Sequence, residues 1–146
     1  MPHERLRKFN QTQMRYYDAQ KLSNDMSMAV ITGPHIFLRG QTGHVIETSE
    51  LVGLGDAGAQ ADQAMKNVKQ LLEEAGSRLE HICKTTVWIT DRAYRTPVYQ
   101  VIGRHLKGVF PVSTGIIVKG LAQAELLMEI DVDAVIPDED YAVKRQ

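Results

Sequence analysis

The segment at residues 126–135 constrains the fold more than any other part of this sequence. Its side chains alternate between apolar and acidic, and successive side chains of a β-strand point to opposite faces of a sheet. The apolar residues are Met128, Ile130, Val132 and Ala134, and the acidic residues are Glu129, Asp131 and Asp133. The pattern predicts a strand with one core face and one carboxylate face. That second face is either half-solvated sheet surface or part of a cleft, and periodicity alone favours the surface.

Two segments have the periodicity of amphipathic helices. The first is predicted to begin after Asp56, a good N-cap, and to end at Gly76. Its apolar residues, spaced i, i+3, i+4, i+7, are Ala61, Ala64, Met65, Val68, Leu71, Leu72 and Ala75. The second is predicted to have Thr96 as its N-cap and Pro97 at its first position, and to end before Gly108.

Polar residues on these helices have structural explanations. Gln60, Gln63 and Asn67 of the first helix are predicted to be solvated or capping residues. His105 lies near the end of the second helix, where the helix dipole stabilises a protonated ring. We predict a structural or surface histidine there rather than a catalytic one.

The remaining elements predict the fold class. Residues 26–41 contain two short apolar runs around Gly33 and Pro34, which is typical of a β-hairpin. Residues 84–91 and 113–119 have the composition of strands. The resulting order predicts an α+β fold with both helices on one side of the sheet. The other face then needs a cover, and oligomerisation is the ordinary way to supply one.

Length and charge limit the organisation and the partners. A chain of 146 residues fits one domain. We expect an arm or edge strand over residues 1–25, structured around residues 15–18, then a domain over 26–135 and a polar tail over 136–146. The net charge of −1 supplies no basic field for nucleic acid. We expect no membrane segment, because no apolar run approaches ~20 residues, and the polar N-terminus does not resemble a signal peptide.

The rare residue types exclude several kinds of site. Cys83 is the only cysteine, so no intramolecular disulfide forms, and a reducing, cytoplasmic location is expected. We predict that its thiol is buried. The five histidines have no metal-ligand spacing, and the glycines form no phosphate-binding loop. We therefore expect no metal site.

Several short motifs together resemble one known family. They are Gly40-Gln41, then Asp56, Gln60, Asn67 and Glu74-Ala75-Gly76, then Lys84-Thr85-Thr86-Val87, Tyr99, Phe110-Pro111 and Glu129-Ile130-Asp131. On these residues the chain resembles the RidA (YjgF) family over roughly residues 26–135. The resemblance implies a chorismate-mutase-like mixed sheet with two helices on one face, and a homotrimer that binds small molecules in clefts between subunits. It also implies hydrolysis of enamines and imines, such as 2-aminoacrylate and its 2-imino tautomer, to 2-oxo acids and ammonia without a cofactor.

The family's active-site residues are matched only in part. In active members, an arginine in a Pro-Ala-Arg-Ser segment holds the substrate carboxylate, and a glutamate on the last strand positions the attacking water. The resemblance gives Glu129 this glutamate's catalytic role. Ser113 stands where the arginine is expected and is followed by Thr114, Gly115 stands where many members have Cys or Thr, and Met26 aligns with a pocket tyrosine.

Arg39 replaces the serine that usually precedes Gly40-Gln41 in the family. Our hypothesis is that Arg39 supplies the cation that Ser113 no longer provides, because a long arginine side chain reaches several ångströms. The alternative is that Arg39 pairs with an acidic residue at the subunit interface and blocks the cleft.

Two functions remain open at this stage. In the first, the chain is a deaminase or related hydrolase of a small imine: Glu129 orients water, Arg39 holds an anionic group, and donors around Ser113, Thr114 and Gly115 complete an atypical pocket. In the second, the chain is a non-catalytic trimer that binds or senses a small molecule, since a fold does not secure a function.

Overall fold

The computed structural model describes residues 3–14 and 22–137. Two α-helices are present, α1 (Ala57–Glu74) and α2 (Arg95–His105). The strands are β1 (His3–Leu6), β2 (Phe9–Asn10), β3 (Asp25–Met26), β4 (Ala29–Thr32), β5 (His35–Leu38), β6 (Ile82–Ile89), β7 (Val112–Ile117) and β8 (Met128–Val135). The patch predicted at residues 15–18 and most of the predicted tail lie outside the described residues.

Six of these strands form one mixed sheet in the order β1-β4-β5-β8-β6-β7, and β2 pairs with β3 in a separate two-stranded ribbon. The neighbours β6 and β7 run parallel, whereas the other described pairs are antiparallel. The predicted hairpin is β4–β5, and Gly33 turns it with φ of +59°. The predicted α+β class is confirmed. Residues 3–6 extend the sheet as an edge strand along β4.

The helices cover one face of the sheet. α1 begins as predicted: the Asp56 carboxylate accepts a hydrogen bond from the Ala59 amide at 3.0 Å. It ends before Gly76, whose φ is +86°. α1 packs against β5, β8 and α2. The alternation predicted for β8 is present, because its four apolar residues are buried and its three carboxylates are only half-buried. The carboxylates therefore lie on the face away from the helices.

The second helix begins earlier than predicted. Thr96 is not its N-cap, because the helix starts at Arg95 and continues directly from a 3₁₀ turn over Arg92–Tyr94. Asp91 caps that turn by accepting a hydrogen bond from the Ala93 amide at 2.8 Å. Pro97 is thus the third helical residue. A backbone N–H at this position has no acceptor within the helix, so the lack of an N–H in proline costs no helical hydrogen bond.

Cys83 is exposed, so the prediction of a buried thiol is wrong. The pairing of β6 with β8 shifts register between Ile82 and Lys84, as at a β-bulge. Because of this irregularity, both Cys83 and Lys84 are exposed, and burial resumes at Thr85. No helix in the described part of the chain combines the length and apolar character of a membrane crossing.

Candidate active site

Two carboxylates of β8 converge on a glycine that follows β5. Glu129 and Asp131 are two residues apart on one strand, so their side chains share the face away from the helices. A Cβ atom on Gly40 would lie 2.6 Å from Glu129 Oε2 and 2.8 Å from Asp131 Oδ1. The two oxygens therefore occupy the space that a side chain at this position would need. Only glycine leaves that space open.

Burial raises the pKa of the Glu129 carboxyl above its ordinary value. Loss of hydration is the largest cause and the like charge of Asp131 adds to it, whereas the Arg39 guanidinium lowers the pKa. A carboxyl group with a raised pKa accepts a proton more readily near neutral pH. The environment of Glu129 thus suits an acid–base catalyst.

Asp131 is held by a neutral donor. The Trp88 indole Nε1 donates a hydrogen bond to Asp131 Oδ2 at 3.1 Å. Trp88 lies on β6, directly across from Glu129 in the strand register. One oxygen of Asp131 is thus bound by the indole, while the other lies beside Glu129 above Gly40.

Glu129 lines a small cavity between the sheet and two loops. Residues 42–55 and 118–127 form these loops, and they contribute Thr42, His44, Gln123 and Leu126 to the walls. The cavity volume is about 30 Å³. That volume holds one water molecule but not an imino acid. A single chain therefore encloses room for a water molecule beside Glu129, but not for a larger molecule.

Arg39 lies beside this cavity. Its side chain lines the cavity together with Glu129, and its charge acts on the Glu129 carboxyl. The guanidinium carbon is also 5.2 Å from the centre of the Phe9 ring, which is within the range of a cation–π interaction. The Arg39 amide donates to the Met28 carbonyl at 2.9 Å, so the stem of the side chain is fixed at the end of β5.

Gln60 and Asn67 support the two loops from α1. Both side chains are buried, so the prediction that they are solvated or capping residues is wrong for them. Gln60 Nε2 donates to the carbonyls of Gly53 and Glu125, and Gln60 Oε1 accepts from the Leu127 amide. Asn67 Nδ2 donates to the His44 carbonyl at 2.6 Å. Helix periodicity places these residues on the core face, but it does not reveal that loop backbones lie opposite them.

The candidate residues on β7 divide between the two faces of the sheet. Ser113 lies opposite Thr85 in the parallel register, and its hydroxyl accepts a hydrogen bond from Thr85 Oγ1 at 2.9 Å. Gly115 faces α2, because a Cβ there would collide with the Tyr99 hydroxyl. Thr114 has the opposite parity and pairs with Thr86, which in turn pairs with Asp131. Within one chain, Ser113 and Gly115 are therefore on the helix side, whereas Thr114 shares the face of Glu129.

Among residues 3–14 and 22–137, no three His, Cys, Asp or Glu side chains lie together as a metal ion would require. His105, the histidine of α2, instead bonds Asp62 Oδ1 of α1 through Nε2 at 2.7 Å. This contact ties the two helices together, which is the structural role predicted for it.

Comparison with known proteins identifies the family. A sequence model of the family described as Endoribonuclease L-PSP matches residues 18–136. Curated relatives include proteins of the RutC family and 2-iminobutanoate/2-iminopropanoate deaminases. The chain belongs to the RidA (YjgF) family. The human 2-iminobutanoate/2-iminopropanoate deaminase is 29% identical over 109 residues, which are 75% of this chain and 77% of that protein. The Salmonella typhimurium deaminase is 32% identical over 114 residues, covering 76% and 82%.

Solved structures of RidA family members share the fold. A Mycobacterium tuberculosis member of the YjgF/YER057c/UK114 family superposes with a TM-score of 0.72 at 25% identity and covers 91% of this chain and 98% of that one. RidA from an Antarctic Psychrobacter superposes with a TM-score of 0.71 at 30% identity, over 76% and 88% of the two chains.

The structure also places Met26 and two loop residues that the sequence analysis did not single out. Met26 lies on β3, opposite Phe9 of β2, and lines a separate groove of the N-terminal segment rather than the Glu129 cavity. His44 and Gln123 were missed, although they line that cavity and bond each other at 2.9 Å. No spacing signal links two loop residues so far apart in sequence.

Proposed function

We propose that this RidA family member is a cofactor-independent hydrolase that converts a small imine or enamine into a carbonyl compound and ammonia. The observation that carries the proposal is the Glu129 carboxyl, half-buried above Gly40 with a raised pKa and with Arg39 beside it. Relatives named as imine deaminases support the reaction class, at identities of 24–32%.

The reaction follows from the chemistry of these two groups. Glu129 as a carboxylate takes one proton from a water molecule, and the resulting hydroxide adds to the C=N carbon. Glu129 then passes this proton to the nitrogen, which gives a carbinolamine. As the carbonyl forms, Glu129 takes the hydroxyl proton of the carbinolamine and delivers it to the nitrogen, which leaves as ammonia, so that Glu129 ends as the carboxylate it was at the start. Arg39 holds a carboxylate of the substrate, because a guanidinium fork matches two carboxylate oxygens. No metal or organic cofactor takes part in these steps.

We further propose that the functional unit is a homotrimer whose clefts lie between subunits. The cavity of one chain is too small for an imino acid, so a neighbouring subunit would supply the remaining walls. The sheet face away from the helices exposes 48% of Phe37, and Val112 of β7 is exposed on the same face at the sheet edge. Covering this surface in an oligomer would remove apolar area from water. The charge and cysteine content favour a cytoplasmic protein without a nucleic-acid partner.

The substrate is expected to differ from those of relatives with the Pro-Ala-Arg-Ser arginine. Ser113 supplies no cation and its hydroxyl is bonded to Thr85 on the helix side. The anionic group of the substrate would thus be held by Arg39, which approaches from the end of β5. A cation at Arg39 together with the missing cation at Ser113 also supports a second candidate function, a trimer that binds a small anion without turning it over.

Turnover separates the two candidates. The purified chain is added to 2-iminopropanoate that an amino-acid oxidase generates in place, and imine disappearance is followed; other imines are tested in the same way. Binding of the matching 2-oxo acid is measured in parallel by calorimetry. The hydrolase proposal expects clearance, with a higher KM in Arg39→Met and no change in Arg104→Met, an exposed arginine on α2. Binding without clearance of any imine would favour the second function.

A further inference from the structure

The carboxylate of Asp131 lies close to the carboxylate of Glu129. Like-charged side chains on a solvent-exposed strand face are screened from each other by water. Glu129 and Asp131 instead lie together over Gly40 on a half-buried face. Asp131 Oδ1 and Glu129 Oε2 both lie within 2.8 Å of the position of a Gly40 Cβ. The geometry brings a second acidic group to the catalytic carboxyl itself.

Trp88 determines how Asp131 is oriented. Its indole N–H donates to Asp131 Oδ2 at 3.1 Å, and a neutral donor leaves the negative charge of the carboxylate intact. An arginine or lysine in the same place would have neutralised that charge. The Trp88 bond therefore holds a like charge next to Glu129 without neutralising it.

The other groups around Glu129 come from different elements. Arg39 approaches from the end of β5 with the opposite charge, and His44 lines the same cavity from the loop at residues 42–55. Gln123, from the loop at residues 118–127, is neutral. Asp131 is thus the negative group that counteracts Arg39 at the Glu129 carboxyl.

We propose that Asp131 and Trp88 are positioning residues for Glu129: the indole holds the Asp131 carboxylate in place, and this charge makes Glu129 the group that takes the proton from the attacking water. The inference rests on the proposed hydrolase function. Without Asp131, Arg39 would hold Glu129 in its ionised form and weaken it as a base. The raised pKa of Glu129, to which Asp131 contributes, is in keeping with this role.

The test compares Asp131→Asn with Asp133→Asn. Asp133 lies two residues further along the same face of β8, so the two variants remove the same charge from neighbouring sites. Two readouts are taken on the full chain: the pH profile of kcat/KM for imine hydrolysis, and the NMR titration of the ¹³C-labelled Glu129 carboxyl. Trp88→Phe keeps an aromatic ring on β6 and removes the indole donor together with the volume of the second ring.

The proposal expects a lower Glu129 pKa in Asp131→Asn, because a like charge is removed. The acidic limb of the kcat/KM profile then moves to lower pH, and kcat falls while KM stays the same. Asp133→Asn moves neither readout, and Trp88→Phe shifts both in the same direction as Asp131→Asn, but less. If Asp131→Asn fails to fold, Trp88→Phe carries the comparison.

Equal profiles in Asp131→Asn and Asp133→Asn would overturn the proposal, and so would a titration of Glu129 that does not respond to either Asp131→Asn or Trp88→Phe. The NMR titration needs no turnover. A shifted titration in a protein that clears no imine would therefore support the coupling of Asp131 to Glu129 while rejecting the hydrolase function.

Discussion

Gln60 provides a quantitative test of how α1 organises the cavity loops. Its fully buried side chain makes three hydrogen bonds: Nε2 donates to the carbonyls of Gly53 at 3.0 Å and Glu125 at 2.9 Å, and Oε1 accepts from the Leu127 amide at 2.9 Å. Gln60→Met keeps a side chain of similar length and removes all three bonds. The variant therefore separates hydrogen bonding from packing.

The expected cost follows from the groups left behind. The Gly53 carbonyl still accepts from the Asp56 amide at 2.9 Å, so it keeps a partner. The Glu125 carbonyl and the Leu127 amide lose the partner that Gln60 provided, at about 1–3 kcal/mol each for groups removed from water. Burial of the Met side chain offsets part of this cost. We expect the free energy of unfolding to fall by about 2–4 kcal/mol, which lowers Tm by roughly 5–15 °C.

The assay is urea unfolding at a fixed protomer concentration, so that association does not change the comparison. Gln63→Met is the matched control, because Gln63 is only half-buried on the same helix and donates one hydrogen bond, to Asn67 Oδ1 at 2.9 Å. Its expected cost is about 1 kcal/mol or less. Imine clearance below Tm should also fall in Gln60→Met, since both cavity loops lose support. Equal losses of stability in the two variants would refute this account of Gln60.

Two further predictions concern α2. Gly115→Ala should destabilise the chain by about 1–3 kcal/mol in urea unfolding, because its Cβ would overlap the Tyr99 hydroxyl; restoration of stability in Gly115→Ala with Tyr99→Phe would identify that contact as the cause. The bond from His105 lowers the pKa of Asp62, so the stability that this pair contributes is present above the unfolded-state pKa of Asp62 and is lost as pH falls through the lower folded-state value. Unfolding measured against pH in the acidic range should therefore show a smaller loss of stability in Asp62→Asn than in the unaltered chain, and an identical loss would contradict the assignment.

The elements in which a periodic pattern continues over many residues were predictable from the sequence. Burial of one helix face requires an apolar residue at every third or fourth position, and this spacing over four turns between Asp56 and Gly76 predicts α1. Burial of one strand face requires an apolar residue at every second position, and this alternation over eight residues predicts β8. The start of α2 was not predictable to the residue. The Asp91 cap and the 3₁₀ turn that follows it lead into the helix before Thr96, and both compete locally with the Thr96-Pro97 signal.

The candidate site was predictable only in its strand component. Alternation assigns Glu129 and Asp131 to one face, but their convergence on Gly40 depends on how β5 ends beside β8. The Trp88 bond to Asp131 depends on the register between β6 and β8, and the facing of Ser113 depends on the parallel register of β7. The register between strands that are distant in sequence depends on tertiary packing, so local patterns in one sequence do not reveal it.

The most direct test of the proposed function compares imine clearance by Glu129→Gln and Asp133→Asn with that of the unaltered chain, at equal protein concentration and neutral pH. The two variants remove one carboxylate each from the same face of β8, but only Glu129 lines the cavity. We predict that Glu129→Gln loses about 10²- to 10⁴-fold in kcat, the usual contribution of a general base, while Asp133→Asn retains its activity. Clearance by Glu129→Gln at the rate of the unaltered chain would contradict the assignment of Glu129 as the catalytic base.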